Sequence, residues 1–495
     1  MKAVKQPADI NDERAMRITK LNELRDIGIN PYPAHSHRVH SLKQALEKNE
    51  GNEIISTGRI MTKRDMGRII FCHLQDESAK MQIVFKKDAI GEKSFDILEK
   101  KIDVGDILSI IGERFTTKKG EPSVLVKNWI LLTKALLPLP DKFHGLQDEE
   151  LRLRKRYLDL AMDPNLRKLF CRKSKFWATV RDFLLEEGFL EVETPVFENT
   201  AGGADATPFI THHNALDIDV YLRISMGELW QKRLMVAGYE KTFEIGRQFR
   251  NEGMSREHLQ DYTQMEFYWA YADYEMGMAL VERLCKHVAQ EVWGTLKFII
   301  GNHGEIDLNQ PWERYDYVKT IKKIVKINVL KASEKEIIEK LNELKIGYEK
   351  QESKGRLVDS LWKYCRKQIK GPGFLINVPV FVSPLAKRKA NNPELTERFQ
   401  IIIAGSELGN GYSELNDALD QAKRFKEQAK LREAGDTEAQ MYDEDFVEAL
   451  EHGMPPTCGF GFSERFFAFF ENKPIRECVL FPLMKPENFE DKEKK

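Results

Sequence analysis

The sequence predicts an α+β protein with a small β-barrel followed by a larger domain, in which an antiparallel sheet is flanked by helices. Short β-rich segments, separated by turn signals, follow one another between residues 50 and 133. After residue 163, helical and strand patterns mix without the strand–helix–strand rhythm of a parallel sheet. The length of 495 residues agrees with about two to four domains.

The composition excludes several classes of protein. The chain has 77 Lys and Arg against 78 Asp and Glu, so it is not a globally basic nucleic-acid binder, although local basic patches remain possible. Its N-terminal segment is charged, and no apolar run approaches the length of a membrane helix. The six cysteines show no C-x-x-C spacing, which argues against a zinc site. We therefore expect a cytoplasmic protein with reduced thiols and no membrane contact.

The β-rich part contains five predicted strands with a longer connection, Lys87–Val104, between the third and the fourth. This arrangement is typical of an OB barrel, although an SH3-like or sandwich domain stays open as an alternative. The predicted strands are Ile54–Met61, Ile69–Leu74, Met81–Phe85, Ile107–Phe115 and Val124–Leu132.

The order of these patterns predicts five regions. An amphipathic helix over 11–28 ends at Gly28 and lies within the first region. The regions are an N-terminal helical extension (1–49), the OB-fold domain (50–137), a linker (138–165), the larger domain (166–487, with a helical insertion at about 312–370) and a charged tail (488–495).

The segment Glu244–Tyr268 predicts two antiparallel strands joined by a long polar loop. Arg250 and Glu252 are two residues apart, so strand geometry is expected to place them on one face, together with Glu266 and Tyr268 of the partner strand. Such a face is too polar for a core and fits a concave site for charged ligands. The chain has neither a G-x-G-x-x-G nor a P-loop motif, so a nucleotide site would be of another kind.

The stretch Phe249–Glu252 reads F-R-x-E and, with the loop that follows, resembles motif 2 of the class II aminoacyl-tRNA synthetases. Gly459–Arg465, a small-residue strand that opens a helix, resembles motif 3. Lys168–Pro195 resembles motif 1, the dimer element, and this implies a homodimer. One short motif would be weak, whereas three in the right order are a specific signal.

Further stretches resemble the class II lysyl-tRNA synthetases, of which this chain looks like a divergent bacterial-type branch. The resemblance covers residues 10–487 and implies an ATP-dependent ligase. Such an enzyme converts L-lysine to lysyl-adenylate and then transfers it to the 3′ end of tRNA(Lys), forming AMP and diphosphate. The matching stretches are Arg156–Leu160, Ala201–Ala204, Thr211–Asp217, Val382–Arg388, Asn410–Asp417 and Gly453–Thr457.

The resemblance implies two catalytic arginines, Arg250 and Arg465. A guanidinium is a planar fork of donors that suits phosphate and carboxylate groups. The resemblance also places Tyr262 opposite Arg465, with the adenine between them. For Mg²⁺ it assigns Glu407, whereas Gln400 stands where the family has a second carboxylate. The implied ATP-binding residues are Arg250, Glu252, His258, Tyr262, Glu407 and Arg465.

A lysine pocket needs carboxylates at its far end, because a buried unpaired ammonium is costly. The resemblance assigns Glu228 and Glu266 to the ammonium and adds the hydroxyl of Tyr268. It places Glu414 on the lysine side, although Glu414 and Glu407 would face opposite ways along a regular strand unless a bulge intervenes. The implied lysine-binding residues are Gly203, Glu228, Glu266, Tyr268, Asn410, Tyr412 and Glu414.

In the OB-like domain, the resemblance implies contacts to a U-rich anticodon by stacking and hydrogen bonding. Phe71 matches the stacking aromatic residue of the family, although the residue pattern alone favours Phe71 as part of the barrel core. The implied anticodon-binding residues are Arg59, Arg64, Phe71, Gln82 and Glu121.

The loop after Arg250 departs from the family pattern, since Glu257 replaces an arginine and Leu259 an asparagine. Three alternatives stay open at this point. They are an aspartyl- or asparaginyl-type synthetase with the same architecture, a lysine ligase that acts on a protein, and a catalytically silent RNA-binding or regulatory protein. The carboxylates Glu228 and Glu266 argue against aspartate, and the barrel argues against a protein ligase.

Overall fold

The computed structural model describes residues 10–140, 146–204, 206–348, 353–433 and 439–486. The chain divides into two units, Met1–Met162 and Asp163–Lys495. The predicted charged tail lies outside the described residues, and so do residues 141–145 of the predicted linker.

The first unit contains a closed barrel of five strands in the order β1-β2-β3-β5-β4. The strands pair in antiparallel fashion except for β3 and β5, which are parallel. The prediction of a five-stranded OB barrel is therefore confirmed. The strands β1 to β5 are Glu53–Asp65, Ile69–Gln75, Lys80–Lys86, Ile107–Thr116 and Pro122–Thr133.

Alternation along β2 decides which side chains fill the barrel. Ile70, Cys72 and Leu74 are completely buried, whereas Phe71 and His73 point the other way and are only half-buried. The interpretation of Phe71 as barrel core, drawn from its residue pattern alone, is wrong.

Helices of the first unit surround the barrel. The predicted N-terminal helix is confirmed as α1, whose Leu24 packs into the barrel core, and Gly28 beyond it adopts a left-handed φ of 81°. The connection between β3 and β4 is helical. The helices α1 to α6 are Ile10–Asp26, Leu42–Glu47, Lys87–Ile90, Glu92–Lys101, Glu149–Arg154 and Arg156–Met162.

The second unit is built on an eight-stranded sheet in the order β14-β15-β18-β19-β20-β11-β10-β6. The six central strands are antiparallel, and a parallel pair closes each edge. The strands β6 to β20 are Leu190–Glu191, Phe197–Glu198, Ile210–His213, Ile218–Leu222, Lys241–Phe249, Asp261–Ala270, Lys297–Ile299, Glu305–Asp307, Glu313–Asp316, Gly373–Ile376, Arg388–Lys389, Asn392–Thr396, Arg398–Ile403, Ser406–Ser413 and Thr457–Ser463.

Helices flank this sheet, as predicted for an α+β domain. The region predicted as a helical insertion begins with an edge strand, β14, and its helices α10 to α12 have their own core around Trp362. The helices α7 to α15 are Pro164–Glu186, Glu228–Val236, Tyr274–Trp293, Tyr317–Val325, Glu334–Glu343, Lys354–Arg366, Ala418–Glu433, Glu444–Glu451 and Arg465–Phe470. Among the described residues, no helix combines the length and apolar character that a membrane crossing requires.

Strand β20 shows how the central sheet has one face for packing and one for ligands. Phe460 and Phe462 are buried, and Phe462 packs edge-on against Phe176 of α7. The alternate positions, Gly459 and Gly461, have no side chain and line a cavity on the opposite face. Glycines at these positions leave space for a ligand next to the backbone.

Candidate active site

A cavity of about 370 Å³ lies on the face of the central sheet to which Gly459 and Gly461 belong. Every site residue predicted for the larger domain lines this one cavity, although these residues are scattered over more than half of the sequence. They are Gly203, Glu228, Arg250, Glu252, His258, Tyr262, Glu266, Tyr268, Glu407, Asn410, Tyr412, Glu414 and Arg465.

The hairpin predicted over Glu244–Tyr268 is present as β10, a loop and β11. Strand β10 ends at Phe249, however, so Arg250 and Glu252 belong to the loop, and the strand-parity argument for their common face is wrong. The loop itself brings both into the cavity. The amide of Arg250 donates to the carbonyl of Gln260 at 2.7 Å, and its Nε donates to the carbonyl of Ile224 at 3.3 Å.

One end of the cavity is cationic. The guanidinium of Arg250 lies 5.8 Å from the ring centroid of Tyr262, and Arg465, whose side chain is 19% exposed, begins α15. His258 lies in the loop that follows Arg250, where burial and the positive charge of Arg465 lower its pKa. His258 is therefore neutral at pH 7, and its ring can accept or donate a hydrogen bond without adding charge.

In this structure Arg465 already has an anionic partner, because its guanidinium forms an ion pair with the carboxylate of Glu257. Contacts within the loop hold Glu257 in place. Its amide donates to Ser255 Oγ at 3.1 Å, and the carbonyl of the adjacent Arg256 accepts from the amide of Ile475 at 3.0 Å. A phosphate that reaches Arg465 must displace this carboxylate.

For the ATP-binding role that the resemblance implies for this end of the cavity, we expect Glu257→Gln to lower the KM for ATP by about two- to fivefold, because it removes a competing anion from a half-exposed ion pair that contributes at most about 1 kcal/mol. Steady-state kinetics with varied ATP measure this effect. Glu252→Gln serves as the contrast, because Glu252 lines the same cavity but Arg465 pairs with Glu257, so the KM for ATP should not fall in this variant. A KM for ATP that rises in Glu257→Gln contradicts the expectation.

The opposite end of the cavity is anionic and buried. The exposed fractions of Glu228, Glu266 and Glu414 are 7%, 5% and 1%. Burial, together with the charge of Glu228, raises the pKa of Glu266 to about 7, and burial raises the pKa of Glu414 to about 8. Three buried carboxylates within one pocket repel each other, so the empty pocket favours a cationic ligand.

Dense hydrogen bonding fixes Glu266. Its Oε1 accepts from the Met226 amide at 3.1 Å, from Ser225 Oγ at 3.1 Å and from Gln264 Nε2 at 2.7 Å. Its Oε2 accepts from the Tyr268 hydroxyl at 3.3 Å. The hydroxyl of Tyr412 donates to Glu228, so both predicted tyrosines hold carboxylates.

A β-bulge explains how Glu407 and Glu414 reach the same cavity. Ile401 pairs with Gly409 and Ile402 pairs with Glu407, so Leu408 is an extra residue in β19. The bulge reverses the alternation of side chains between the two glutamates. The sequence left open either a regular or a bulged strand between Glu407 and Glu414, and the structure shows the bulged strand.

The glycines of the cavity leave space for these carboxylates. A Cβ at position 461 would lie 2.8 Å from Cγ of Glu266, and a Cβ at position 459 would lie 2.7 Å from Cε1 of Tyr268. Gly203 has a positive φ of 87°, and its Cβ would lie 2.9 Å from Cβ of Ser225. Larger residues at these positions would displace the polar side chains of the pocket.

Sequence reasoning missed several polar residues at this site. Arg398 lines the cavity, and its Nε donates to Asn410 Oδ1 at 2.8 Å. Lys232 lies behind the anionic end, with its Nζ 2.5 Å from Glu414 Oε2 and 3.1 Å from Glu228 Oε1. The spacing of Lys232 from Glu228, one helical turn, was the available signal for this pair.

Glu407 is the one predicted metal ligand, and it could supply one carboxylate to a magnesium ion, with Nε of Arg366 lying 3.8 Å from its Oε1. Trp362 Nε1 donates to Glu407 Oε1 at 2.6 Å, while the carboxylate still lines the cavity together with Gln400. The described residues contain no cluster of three or more His, Cys, Asp or Glu side chains arranged for a metal. Mg²⁺ commonly takes one or two carboxylates and completes its shell with phosphates and water.

In the first unit, four of the residues predicted to bind an anticodon are exposed or half-buried, whereas Gln82 is only 8% exposed. A bulge at Met61 in β1 reverses the alternation there, because Ile60 pairs with Leu74 and Thr62 with His73. Arg59 and Arg64, five residues apart, thereby share the outer face with Phe71. Gln82 accepts from Ser123 at 3.3 Å, and Glu121 lies 3.1 Å from His73, a further polar residue that sequence reasoning missed.

Comparisons with known proteins agree with this geometry. The family described as tRNA synthetases class II (D, K and N) matches residues 148–485, and the family described as OB-fold nucleic acid binding domain matches residues 55–132. A protein named lysine–tRNA ligase from Thermoanaerobacter pseudethanolicus is 46% identical over 97% of each chain. Its namesake from Thermotoga maritima is 40% identical over 98% of each chain. The chain therefore belongs to the class II tRNA synthetases and, among them, to the family of the lysine–tRNA ligases.

Proposed function

We propose that this protein is a lysine–tRNA ligase, which activates L-lysine with ATP and transfers it to the 3′ end of tRNA(Lys). The observation that carries the proposal is the polarity of one cavity. Arginines mark one end, and three buried glutamates mark the other. A ligand with an ammonium group at its far end and a carboxylate near the arginines complements both ends.

At the anionic end, Glu228 and Glu266 bind the side-chain ammonium, and the hydroxyl of Tyr268 assists them. Gly203, Asn410 and Tyr412 surround the backbone and the methylene stem, and Glu414 completes the anionic wall on the lysine side. This assignment follows from burial, because an ammonium leaves water only where carboxylates replace its hydration.

At the cationic end, the lysine carboxylate attacks the α-phosphate of ATP and diphosphate leaves. Arg250 binds the α-phosphate and the attacking carboxylate, so it holds the two reacting groups together and stabilises the charge that develops between them. Arg465 contacts the γ-phosphate and the adenine, which stacks on Tyr262. Glu252 and His258 complete the ATP-binding side.

Magnesium is the cofactor that we assign to this reaction, with Glu407 as its protein ligand. When bound with ATP, Mg²⁺ neutralises phosphate charge and orients the phosphate chain. Gln400, which lines the same cavity, offers only a neutral oxygen, so Glu407 would be the charged protein ligand and the phosphates and water would complete the coordination.

ATP–pyrophosphate exchange with each of the twenty amino acids tests the proposal. We expect exchange with lysine and background rates with the others. Aspartate and asparagine are the informative controls, because the matching family includes synthetases for both. Stronger exchange with aspartate, or no exchange with any amino acid, contradicts the proposed function.

Lysine affinity is expected to increase with pH through the neutral range. The pKa of Glu266 is about 7, and burial also raises the pKa of Glu414, so the empty pocket is partly protonated at neutral pH. Binding an ammonium requires the ionised forms, so the complex holds fewer protons, and affinity rises by up to about tenfold per pH unit for each proton released. Calorimetric titrations with lysine from about pH 6 to about pH 8 measure this. An affinity that falls as pH rises contradicts it.

For tRNA, we assign the outer face of the barrel to the anticodon, with Arg59, Arg64, Phe71, Gln82 and Glu121 as contacts. We expect Phe71→Ala to raise the KM for tRNA by about tenfold or more, since stacking on an aromatic side chain contributes about 1–3 kcal/mol per base. Amino-acid activation, measured by pyrophosphate exchange, should stay unchanged. Ile130→Ala, at an exposed apolar residue of the same barrel, is the matched control. Equal effects of the two substitutions contradict a stacking role.

We further propose a homodimer that acts in the cytoplasm. The segment around β6 to β9 exposes large apolar side chains, including Phe197 at 57% and Ile210 at 62%, as expected of a surface that a second copy covers. Light scattering should give twice the chain mass of 57.5 kDa. All six cysteines are free thiols, which agrees with a reducing compartment.

A further inference from the structure

Lys232 is a buried charged residue that has no role in the proposed reaction. It lies on α8, one turn after Glu228, and only 1% of its side chain is exposed. Its ammonium lies 2.5 Å from Glu414 and 3.1 Å from Glu228, and it also lies 5.5 Å from the ring centroid of Tyr412. It does not line the cavity, so it acts on a ligand only through the two carboxylates.

The formal charges of the three buried carboxylates and of Lys232, which pairs with two of them, leave a specific net charge. Arg398 also lines the cavity, but it is bound to Asn410 and to the carbonyl of Val382 and is not counted with this cluster. Glu228, Glu266 and Glu414 contribute three negative charges, and Lys232 contributes one positive charge. The resulting net charge of two negative charges is matched by an amino acid with two ammonium groups, one on its α-carbon and one on its side chain. An amino acid with an uncharged side chain leaves one of these carboxylates without a partner, which is unfavourable because each is at most 7% exposed.

We propose that Lys232 is a built-in counter-ion that sets how many positive charges an accepted amino acid must carry. It is thus a specificity-determining positioning residue. This inference rests on the proposed function, since it concerns how the same pocket selects lysine. Without Lys232 the net charge of the cluster would be three negative charges, and without Glu414 it would be one negative charge.

A suppressor experiment separates this role from a purely structural one. Glu414→Gln reduces the net charge of the cluster to one negative charge, and the pocket should then lose discrimination between lysine and norleucine, its isostere without the terminal ammonium. We expect the preference for lysine, as a ratio of kcat/KM in pyrophosphate exchange, to fall by about a hundredfold. Adding Lys232→Met restores the net charge to two negative charges and should recover at least about tenfold of that preference.

A purely structural role predicts that Lys232→Met changes the melting temperature of the Glu414→Gln chain but leaves its preference for lysine over norleucine unchanged. The matched control is Arg233→Met in the Glu414→Gln chain. Arg233 is the neighbouring cation on α8, but its partner is Asp443, 3.1 Å away, which is not part of the carboxylate cluster. This control should recover none of the lost preference, and thermal melting should show every variant to be folded.

The outcomes distinguish the two proposals. If the unmodified protein shows no lysine-dependent exchange, the proposed function is wrong. If it does, but the double variant Lys232→Met with Glu414→Gln prefers lysine no more than Glu414→Gln alone, then the charge-count role of Lys232 is wrong. Lys232→Met alone leaves Glu414 as a buried anion without its partner, which disfavours folding. The double variant avoids this problem, because Glu414→Gln removes that anion.

Discussion

Replacing Arg250 by alanine is expected to lower lysine-dependent ATP–pyrophosphate exchange by about a thousandfold. Removing one fixed donor that faces developing charge in a site shielded from water typically costs about 3–4 kcal/mol of transition-state stabilisation. Arg250 is positioned for such a role, because its backbone amide is fixed to Gln260 and its Nε to Ile224. The loss of activity should lie mainly in kcat, since the contact between Arg250 and the reacting groups strengthens as the carboxylate attacks phosphorus.

Two further variants sharpen this prediction. Arg250→Lys keeps the positive charge but loses the planar fork, so its activity should lie between those of the alanine variant and the unmodified protein. Arg247→Ala is the control, because Arg247 lies three residues earlier on the same hairpin, is 45% exposed and pairs with Asp261. It should stay within about twofold of the unmodified protein. Equal losses at Arg247 and Arg250 would mean that the hairpin, and not the Arg250 guanidinium, is what activity needs.

The residue pattern was sufficient to predict the barrel and the motif 2 hairpin. The hairpins in both are local features, since alternation and turn residues determine strands that are adjacent in the chain, whereas the β1–β4 and β3–β5 pairs that close the barrel are not local. The strand bounds differ from prediction by a few residues, as with β1, which continues to Asp65. The difference between predicted and observed strand bounds matters at Arg250. Strand β10 ends before this residue, so the loop places Arg250 in the cavity.

The bulges could not be predicted. A bulge depends on which strand pairs with which and in what register, and the sequence of one strand does not specify this pairing. Leu408 in β19 and Met61 in β1 are each the extra residue that brings two predicted site residues onto one face. The resemblance to a family had indicated that these residues act together but gave no physical reason. The two bulges supply that reason.

Partnerships across the fold were also beyond the sequence. Glu257 and Arg465 are separated by 208 positions, and no pattern relates them, yet they form an ion pair at the cationic end. Trp362, from the region predicted as an insertion without obvious chemistry, donates to Glu407. Long-range pairs of this kind depend on how elements pack, so only a structure identifies them.

Glu228→Gln is expected to raise the KM for lysine by about a hundredfold, while the KM for ATP changes by less than about twofold. Truncating the charge of one partner in a buried, hydrogen-bonded ion pair costs about 2–5 kcal/mol, and 1.4 kcal/mol corresponds to a factor of ten. Glu228 is 7% exposed and is held by Tyr412 and Lys232, so glutamine at this position keeps the shape of the pocket and loses only the charge.

Pyrophosphate exchange with one substrate varied at a time measures the two KM values separately. Glu240→Gln is the matched control, because Glu240 is an exposed glutamate shortly after the same helix. It should change neither KM. The separation of the two values is the decisive result, since a distorted protein would bind both substrates less well. Equal increases in the KM for lysine and for ATP would place Glu228 outside the side-chain pocket, and the anionic end would then lose its role in selecting lysine.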